Sequence, residues 1–194
     1  MISDEHIVGG CREGKRKAYN MLYRKYASAM LGICMRYCRD RDEAEDVLQE
    51  GFIKVFTNIG KFRGEGSFEG WIKRIMVNTA IDNYQSNLKH YFHTRVEEVG
   101  ELLPLDEHTS PETHPDLKAD IPKEKLMAMV QALPDGYRLV FNLYAIEGYG
   151  HKEIAEMLNI SENTSKTQLM KARKTLRKSV EELVQKIDYN VSLR

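Results

Sequence analysis

The stretch that decides the fold is residues 147–178, EGYGHKEIAEMLNISENTSKTQLMKARKTLRK. Its first half predicts a short helix, because the apolar residues of 151–158 follow a helical spacing: Ile154, Ala155 and Leu158. Asn159 tolerates the left-handed backbone conformation that ends a helix, and Ser161 belongs to the residue types that cap the next one. The stretch therefore predicts a helix-turn-helix.

The second helix of this stretch is predicted to begin at Glu162 and to have one buried and one basic side. Its inner face would be formed by Ser165, Leu169, Ala172, Leu176 and Val180. Six basic residues and no carboxylate lie between Glu162 and Glu181: Lys166, Lys171, Arg173, Lys174, Arg177 and Lys178. Such a helix suits the major groove of DNA, with its first turns at base edges and its basic side chains at phosphates. An ordinary helical hairpin with a solvated basic face fits the same pattern, which leaves both interpretations open.

Charge is unevenly distributed along the 194 residues, although 29 basic and 29 acidic side chains give no net charge. Residues 1–89 carry 15 basic and 12 acidic side chains, residues 90–121 carry 2 and 8, and residues 122–194 carry 12 and 9. An acidic middle segment thus masks two mildly basic ends. The length and this division predict two small domains.

The cysteines and the N-terminus predict a reduced, cytoplasmic setting. Three cysteines are an odd number, and charged residues come early in the N-terminus, which has no apolar leader. No apolar run approaches the roughly 18 to 20 residues of a membrane helix, so no membrane insertion is expected.

Two long amphipathic helices are predicted in the first 60 residues. The first has its apolar stripe at Tyr19, Leu22, Tyr26, Met30, Ile33 and Tyr37. The second follows a turn near Asp40 and has its stripe at Ala44, Val47, Leu48, Phe52, Val55, Phe56 and Ile59. Six carboxylates and a single arginine lie between Asp40 and Glu50. The helix dipole favours acids in the first turn, so it does not account for the polar residues farther in, Asp46, Gln49 and Glu50.

A glycine-containing loop at residues 61–67, KFRGEGS, precedes a third helix that Ser67 can cap. The apolar stripe of this helix is Phe68, Trp71, Ile72, Ile75, Ala80 and Ile81. Aromatic and basic residues beside a flexible loop can stack on and hold an unpaired base. Phe68 and Trp71 fit the hydrophobic core as well, which is the commoner role of such residues.

Residues 90–121 differ in character from both ends of the chain. They have no sustained apolar period, a net charge of minus six and several prolines in or beside them: Pro104, Pro111, Pro115 and Pro122. This composition predicts a flexible acidic linker. Further helical stripes follow it, and no strand-like alternation occurs. The predicted fold class is therefore all-α: two small helical domains, residues 1–89 and 122–194, of which the second contains the helix-turn-helix.

No pattern in the sequence predicts an enzyme or a cofactor site. Cys34, Cys38, His90 and His93 have the residue types of a zinc site, but nothing in the sequence brings the two pairs together. Cysteines on a helix flank are more often small apolar residues. A glycine-rich phosphate loop with its lysine and a metal-protease histidine pair are both absent from the sequence. We therefore expect no catalytic residue, no metal and no cofactor.

Four blocks of the chain together resemble the small, two-domain extracytoplasmic-function group of bacterial RNA polymerase sigma factors. They are AYNMLYRKYASAMLGICMRYCRDRDEAEDVLQEGFIKVF, KFRGEGSFEGWIKRIMVNTAIDNY, LPDGYRLVFNLYAIEGYGHKEIAEMLNIS and ENTSKTQLMKARKTL. The resemblance covers nearly all of the chain apart from the linker. The order and spacing of the blocks carry it, because the helix-turn-helix alone would also suit a response-regulator output domain.

The resemblance implies a factor that binds core RNA polymerase and directs promoter recognition, promoter melting and transcription initiation. In the family, a helix like AEDVLQE docks on a coiled coil of the large polymerase subunit, which implies a basic partner for Asp46, Gln49 and Glu50. The third helix and its loop open and hold the minus-ten element, which implies contacts from Phe62, Arg63, Ser67, Lys73, Arg74 and Asn78. Trp71 remains a core residue in this interpretation. The recognition helix reads the minus-thirty-five element, with Lys166, Thr167, Met170 and Lys171 near the bases and Arg173 at a phosphate.

The resemblance also implies the partners: core RNA polymerase, promoter DNA and, by the habit of the group, a membrane-linked anti-sigma factor, but no small-molecule substrate. The linker would run through the active-site cleft and RNA exit channel of the polymerase, where negative charge can imitate RNA. The chain departs from the family pattern at a few positions: Gly150 for a capping Ser or Thr, Ser165 for an inward valine, Gln168 for an arginine, and Gln85 and Ser86 for a basic pair.

Two other functions fit parts of the same pattern. One is a free-standing helix-turn-helix regulator that binds an operator as a dimer without polymerase. The other is a helical adaptor that binds only protein, in which the basic face has no ligand.

Overall fold

The computed structural model describes residues 3–94 and 121–192 of the chain. Most of them lie in helices: α1 (Asp4–Arg12), α2 (Arg16–Tyr37), α3 (Arg41–Asn58), α4 (Phe68–Thr94), α5 (Lys123–Gln131), α6 (Asp135–Phe141), α7 (His151–Leu158) and α8 (Glu162–Ser192). A 3-10 turn (Ile59–Lys61) follows α3, and a π-helical turn (Asn142–Ile146) follows α6. The two described ranges contain no strand, and the prediction of an all-helical chain is confirmed.

Three helix ends lie at residues whose chemistry predicts a cap. At the start of α3, the backbone amide of Glu43 donates to the Asp40 carboxylate at 2.9 Å. At the start of α8, the amide of Thr164 donates to the Ser161 hydroxyl at 2.9 Å. Asn159 has a φ of 55° and ends α7 in the left-handed conformation. The Ser161 cap and the left-handed Asn159 define the turn of the helix-turn-helix.

Helices α1–α4 form an N-terminal domain around a continuous apolar core. Its fully buried large side chains come from all four helices: Ile7, Leu22, Met30, Val47, Val55, Ile72 and Met76. Helices α3 and α4 approach closely at Gly51, where an added Cβ would collide with the sulfur of Met76. Glycine at this position lets the two helices pack without an intervening side chain.

Helices α5–α8 form a C-terminal domain, in which α7 and α8 are the predicted helix-turn-helix. The apolar residues up to Ile146 have the spacing of one regular helix, but the backbone widens into the π-helical turn, which the Glu147 amide closes by donating to the Asn142 carbonyl at 3.0 Å. A bond between residues five apart places Asn142 and Glu147 about one turn apart on the same side. In a regular α-helix they would point roughly 140° apart.

The two domains pack directly on each other at the C-terminal end of α2. Three successive carbonyls of α2 accept bonds from side chains of the C-terminal domain: Met35 from Gln131 at 3.1 Å, Arg36 from Asn142 at 2.6 Å, and Tyr37 from Arg138 at 3.0 Å. The last carbonyls of a helix have no partner within the helix, so the second domain completes the hydrogen bonding of the first. No pattern in the sequence indicates this contact.

The predicted linker lies largely outside the described residues. Helix α4 continues to Thr94, five residues beyond the predicted domain end at Lys89. The structure does not describe residues 95–120. The acidic linker at 90–121 and the domain limits drawn from it therefore stay predictions.

All three cysteines are free and buried: Cys11, Cys34 and Cys38. Burial raises the pKa of the Cys34 thiol to about 12. Within the described ranges, no group of three or more His, Cys, Asp or Glu side chains is placed to hold a metal ion. The side chains of His90 and His93 lie outside the described residues.

The helices of the described residues include none that is long and apolar enough to span a membrane.

Candidate nucleic-acid and protein interfaces

The predicted polymerase-binding residues lie together on the outer face of α3. Asp46, Gln49 and Glu50 are all exposed, and their spacing of three and four residues places them on one side of the helix. The opposite side carries the buried stripe, including Val47 and Leu48. The face is polar and outward because the apolar residues of α3 occupy the side against α2 and α4.

Ile53 lies on the same face of α3, and it was not among the site residues predicted from the sequence. Its side chain is 62% exposed, among the largest exposures of an apolar side chain in the described residues. It lies three residues after Glu50 and outside the predicted stripe, and that offset was the signal that could have identified it. A single exposed apolar side chain is common on protein surfaces, so Ile53 does not by itself indicate a partner.

The loop before α4 closes an aromatic cluster. The ring of Phe62 lies 4.9 Å from that of Phe68 and 5.5 Å from that of Trp71, and Phe68 and Trp71 stack at 5.8 Å between centroids. Phe68 is buried, and Phe62 and Trp71 are half-buried against the core. The Arg12 guanidinium donates to the Phe62 carbonyl and so ties α1 to this loop. The cluster holds the loop in place and leaves one side of Phe62 accessible.

Most of the other predicted minus-ten residues are exposed on α4 and its loop. Arg63, Arg74 and Asn78 are exposed, and Arg74 and Asn78 lie one helical turn apart. Ser67 has the structural role predicted for it, since its hydroxyl accepts from the Gly70 amide at 3.3 Å. The three exposed side chains offer positive charge and an amide to a nucleic-acid strand.

Lys73 is the exception, because it is paired across the domain boundary. Its Nζ lies 2.6 Å from one carboxylate oxygen of Glu147, and the Arg36 guanidinium lies 3.4 Å from the other. Only 9% of the Glu147 side chain is exposed. A carboxylate of the C-terminal domain therefore pairs with one predicted DNA contact of the N-terminal domain.

The predicted recognition residues lie on the outer part of α8. Lys166 and Arg173 are exposed, whereas Thr167, Met170 and Lys171 are half-buried. Lys166 pairs with Glu162 at 2.7 Å, one turn earlier in the same helix. The predicted inner face is buried at Ser165, Leu169 and Ala172 and half-buried at Leu176 and Val180.

A stack of side chains not predicted from the sequence supports this part of α8. The Arg173 guanidinium lies 5.6 Å from the centre of the Tyr144 ring, and that ring stacks on His151 at 4.6 Å. The His151 Nδ1 lies 2.9 Å from the hydroxyl of the buried Ser165. Burial lowers the pKa of His151, and the nearby Lys166 lowers it further. The π-helical turn thus braces a basic side chain of α8 through two aromatic rings.

Gln85 and Gln168, two of the positions at which the chain departs from the family pattern, both contact other residues of the protein. The Gln85 amide donates to the Met157 carbonyl at 2.9 Å, which joins α4 to α7. Gln168 is half-buried, and an added Cβ on Gly136 would come within 2.9 Å of its amide nitrogen. Both glutamines line a cavity of about 310 Å³ between α4 and the helix-turn-helix. Both positions thus carry neutral amides at the domain contact.

Comparison with known proteins identifies the two domains. Residues 22–89 match Sigma-70 region 2, and residues 123–176 match Sigma-70 region 4. The chain is 28% identical to the RNA polymerase sigma-H factor of Pseudomonas aeruginosa over 93% of this chain and 95% of that protein. It is also 28% identical to the ECF RNA polymerase sigma-E factor of Haemophilus influenzae, over 94% of this chain and 98% of that one.

A solved structure has a similar fold. It is the co-crystal structure of the sigma factor RpoE with the anti-sigma factor NepR from Bartonella quintana, with a TM-score of 0.50 and 15% identity, covering 85% of this chain and 98% of that one. At that identity the likeness concerns the fold alone. Both sigma regions are present in the family order, and the matched relatives span nearly the whole chain, so the protein belongs to the sigma-70 family of RNA polymerase sigma factors, in its extracytoplasmic-function group.

Proposed function

We propose that this chain binds core RNA polymerase and directs it to a set of promoters, where it takes part in recognition, melting and initiation. The observation that carries the proposal is the presence of region 2 and region 4 in one chain, with exposed polar faces on α3, α4 and α8. This proposed function consists of binding and includes no making or breaking of covalent bonds, so the protein would not be an enzyme. It would act in the cytoplasm, where the polymerase and the DNA are.

The N-terminal domain, residues 1–89, would bind the polymerase and the minus-ten element. Asp46, Gln49 and Glu50 form one exposed polar face that suits a basic partner. The minus-ten strand would contact the α4 face and its loop through Phe62, Arg63, Ser67, Lys73, Arg74 and Asn78. Ser67 would act by capping the helix that presents the others.

The C-terminal domain, residues 122–194, would read the minus-thirty-five element. Lys166, Thr167, Met170 and Lys171 would lie toward the bases, and Arg173, braced by Tyr144, would bind a phosphate. The linker, residues 90–121, would thread the polymerase. Neither DNA contact has to be strong alone, because two modules on one polymerase act at high effective concentration.

An anti-sigma factor is the partner we propose for regulation. The RpoE structure with a similar fold was solved together with such a factor. Because sigma factors of this group commonly have membrane-linked anti-sigma factors, we propose a membrane-linked anti-sigma factor for this chain. This chain would then need no sensing domain of its own.

Core-dependent transcription tests the proposal. With core polymerase and a random-promoter library, the purified protein should yield specific transcripts, whereas the protein alone should bind the selected duplexes weakly. A tight, salt-resistant footprint without core polymerase would instead indicate a free-standing regulator.

The same promoters test the recognition helix. Replacing Lys166 and Lys171 together by alanine should lower transcript yield at least tenfold, because each lost contact to a base edge costs about 1 to 3 kcal/mol. The matched control is the pair Lys178→Ala and Lys186→Ala, farther along α8. Unchanged output from the first pair would favour the protein-binding adaptor.

A further inference from the structure

The start of α2 carries positive charge that the fold does not explain. Between Glu13 and Asp40 the sequence has seven basic residues and no carboxylate. Three of the basic residues stand where α2 begins: Lys15, Arg16 and Lys17. The positive end of the helix dipole disfavours cations at this place, and the first turn of α2 contains no acid to offset them. These charges cost folding stability, so a partner outside the domain would account for them.

The turn between α1 and α2 presents these side chains from a fixed backbone. The Lys15 amide donates to the Gly10 carbonyl at 2.9 Å, and the Tyr19 hydroxyl donates to the Cys11 carbonyl at 2.9 Å. The two helices approach so closely that a Cβ added to Gly10 would lie 2.7 Å from the Cβ of Ala18. The positions from which the basic side chains project are therefore well defined.

This turn lies beside the loop that precedes α4. The Arg12 guanidinium donates to the Phe62 carbonyl, which joins the end of α1 to the loop. The Tyr19 ring lies 5.1 Å from the ring of Phe56, which packs α2 against the last turns of α3. Cations of the two helices, the 3-10 turn and the loop thus lie at one end of the N-terminal domain. All are exposed, and we call this set the basic end: Arg12, Lys15, Arg16, Lys17, Lys61 and Arg63.

Few carboxylates neutralise the basic end. Residues 12–17 and 61–67 contain six cations and two carboxylates, Glu13 and Glu65, which leaves a net charge of plus four. Glu13 pairs with Lys15. Arg16 and Lys17 make no ion pair with any carboxylate in the part of the chain that the structure describes. The basic end therefore offers unneutralised cations to an anionic partner.

The composition of the basic end favours a nucleic acid over an acidic protein. Protein interfaces have an apolar and aromatic centre and are depleted in lysine, whereas nucleic-acid interfaces rely on lysine and arginine at phosphates. No large exposed apolar side chain lies within residues 12–17 or 61–63. The accessible ring here is that of the half-buried Phe62, which suits stacking on an unpaired base.

We propose that the basic end binds the phosphates of the single DNA strand that continues from the base held at Phe62, so that the protein contacts the melted promoter beyond the minus-ten element. Arg16 and Lys17 are the contacts that this proposal adds. Arg12, bonded to the Phe62 carbonyl, connects them to the minus-ten loop. The inference rests on the proposed function, since it assumes that Phe62 and its loop hold this strand.

The test uses the full chain bound to core polymerase and three labelled single-stranded oligonucleotides. One carries the selected minus-ten element alone, and the other two extend it by about six nucleotides on the 5′ or the 3′ side. The variant Arg16→Ala with Lys17→Ala should bind the short oligonucleotide like the wild type and should bind one extended oligonucleotide more weakly. At about 0.7 per phosphate contact in the salt slope, the ratio of the two affinities for that oligonucleotide should grow about sevenfold as salt falls from about 200 to about 50 mM.

The matched control is Lys123→Ala with Lys125→Ala. It removes the same charge from the first turn of α5, where both lysines are exposed, and it should bind all three oligonucleotides like the wild type. Thermal unfolding gives a second measurement. Because Arg16 and Lys17 lie at the positive end of the α2 dipole, their replacement should not lower the unfolding temperature.

The proposal is overturned if the Arg16 and Lys17 variant binds both extended oligonucleotides like the control, or if it weakens binding of the short one equally. A lower unfolding temperature would overturn it as well, because these cations would then serve the fold. Weaker binding to core polymerase in a titration, with DNA binding unchanged, would assign the basic end to the polymerase instead. If the wild-type protein on core polymerase neither bound the short oligonucleotide nor produced transcripts, the proposed function itself would be refuted. A result confined to the extensions concerns the basic end alone.

Discussion

Position 165 illustrates how a single residue can depart from its family and still be satisfied. A buried serine stands where an inward valine is common, and its hydroxyl lies 2.9 Å from the Nδ1 of His151. A buried hydroxyl without such a partner would be costly. The sequence predicted that Ser165 faces inward. The partner could not be predicted, because it lies 14 residues earlier on another helix.

Protonation of the His151 side chain should make the folding stability of the protein depend on pH. Burial lowers its pKa from the usual 6.5, Lys166 and Arg173 lower it further, and Glu162 opposes them. As the pH falls through about 6.5, the unfolded chain takes up the proton more readily than the folded one, so the free energy of unfolding should fall. Thermal unfolding measured between pH 7.5 and 5 checks this.

His151→Asn is the control for that experiment, because asparagine can keep the bond to Ser165 but does not titrate. We expect a shallower decline of stability with acid in this variant. Equal slopes in the two proteins would mean that His151 does not contribute.

Gly51 and Gly32 form a matched pair for the packing of the N-terminal domain. Gly51→Ala should destabilise the fold by about 1 to 3 kcal/mol, because the new methyl group overlaps the buried Met76 sulfur. Gly32→Ala, in the exposed interior of α2 with nothing within 4 Å, should stabilise it by about 0.5 to 1 kcal/mol. Urea denaturation gives both values. Two changes of the same sign would contradict the close approach of α3 and α4.

Two independent patterns in the sequence bear on α3. Its apolar stripe fixed the buried side, and the excess of carboxylates beyond the first turn indicated an outer face with a partner. Ile53 was overlooked, since a single apolar residue outside the stripe carries little weight alone. The structure places it next to the predicted polar face.

The outer face of α3 can be tested by charge reversal. Asp46→Lys with Glu50→Lys should weaken binding to core polymerase by at least about 100-fold, because two attractive contacts with a basic partner become repulsive. Circular dichroism should be unchanged, since both side chains are exposed. Binding is measured by fluorescence titration with labelled core enzyme.

The control pair for α3 is Glu5→Lys with Glu181→Lys, exposed positions outside the predicted docking face. It should bind core polymerase like the wild type. Retained binding by the α3 pair would place the docking surface elsewhere.

The end of α6 was predicted less well for a physical reason. The spacing of the apolar residues from Leu139 to Ile146 is compatible with a regular α-helix. No residue type or spacing within this segment distinguishes a π-helical turn from a regular α-helix. The wider turn is stabilised by its tertiary contacts, chiefly the bond from Asn142 to the Arg36 carbonyl. A pattern that extends over one helix cannot contain that information.

At the scale of the whole molecule, the sequence predicted the two domains but not their contact. The bonds that join them link residues about 100 positions apart, such as Arg138 to Tyr37 with a separation of 101. Each partner alone looks ordinary: an arginine in a short helix and the end of a long one. Composition and periodicity describe neighbours in sequence, so such pairs are found only when the chain is folded.

The buried cysteines have a consequence for how the protein can be controlled. Burial raises the pKa values of Cys11, Cys34 and Cys38 alike, so the thiolate that peroxides and electrophiles attack is scarce at neutral pH. Oxidants in the cell would leave these sulfur atoms largely untouched. A response of this protein to oxidative stress is therefore not expected to begin at its cysteines.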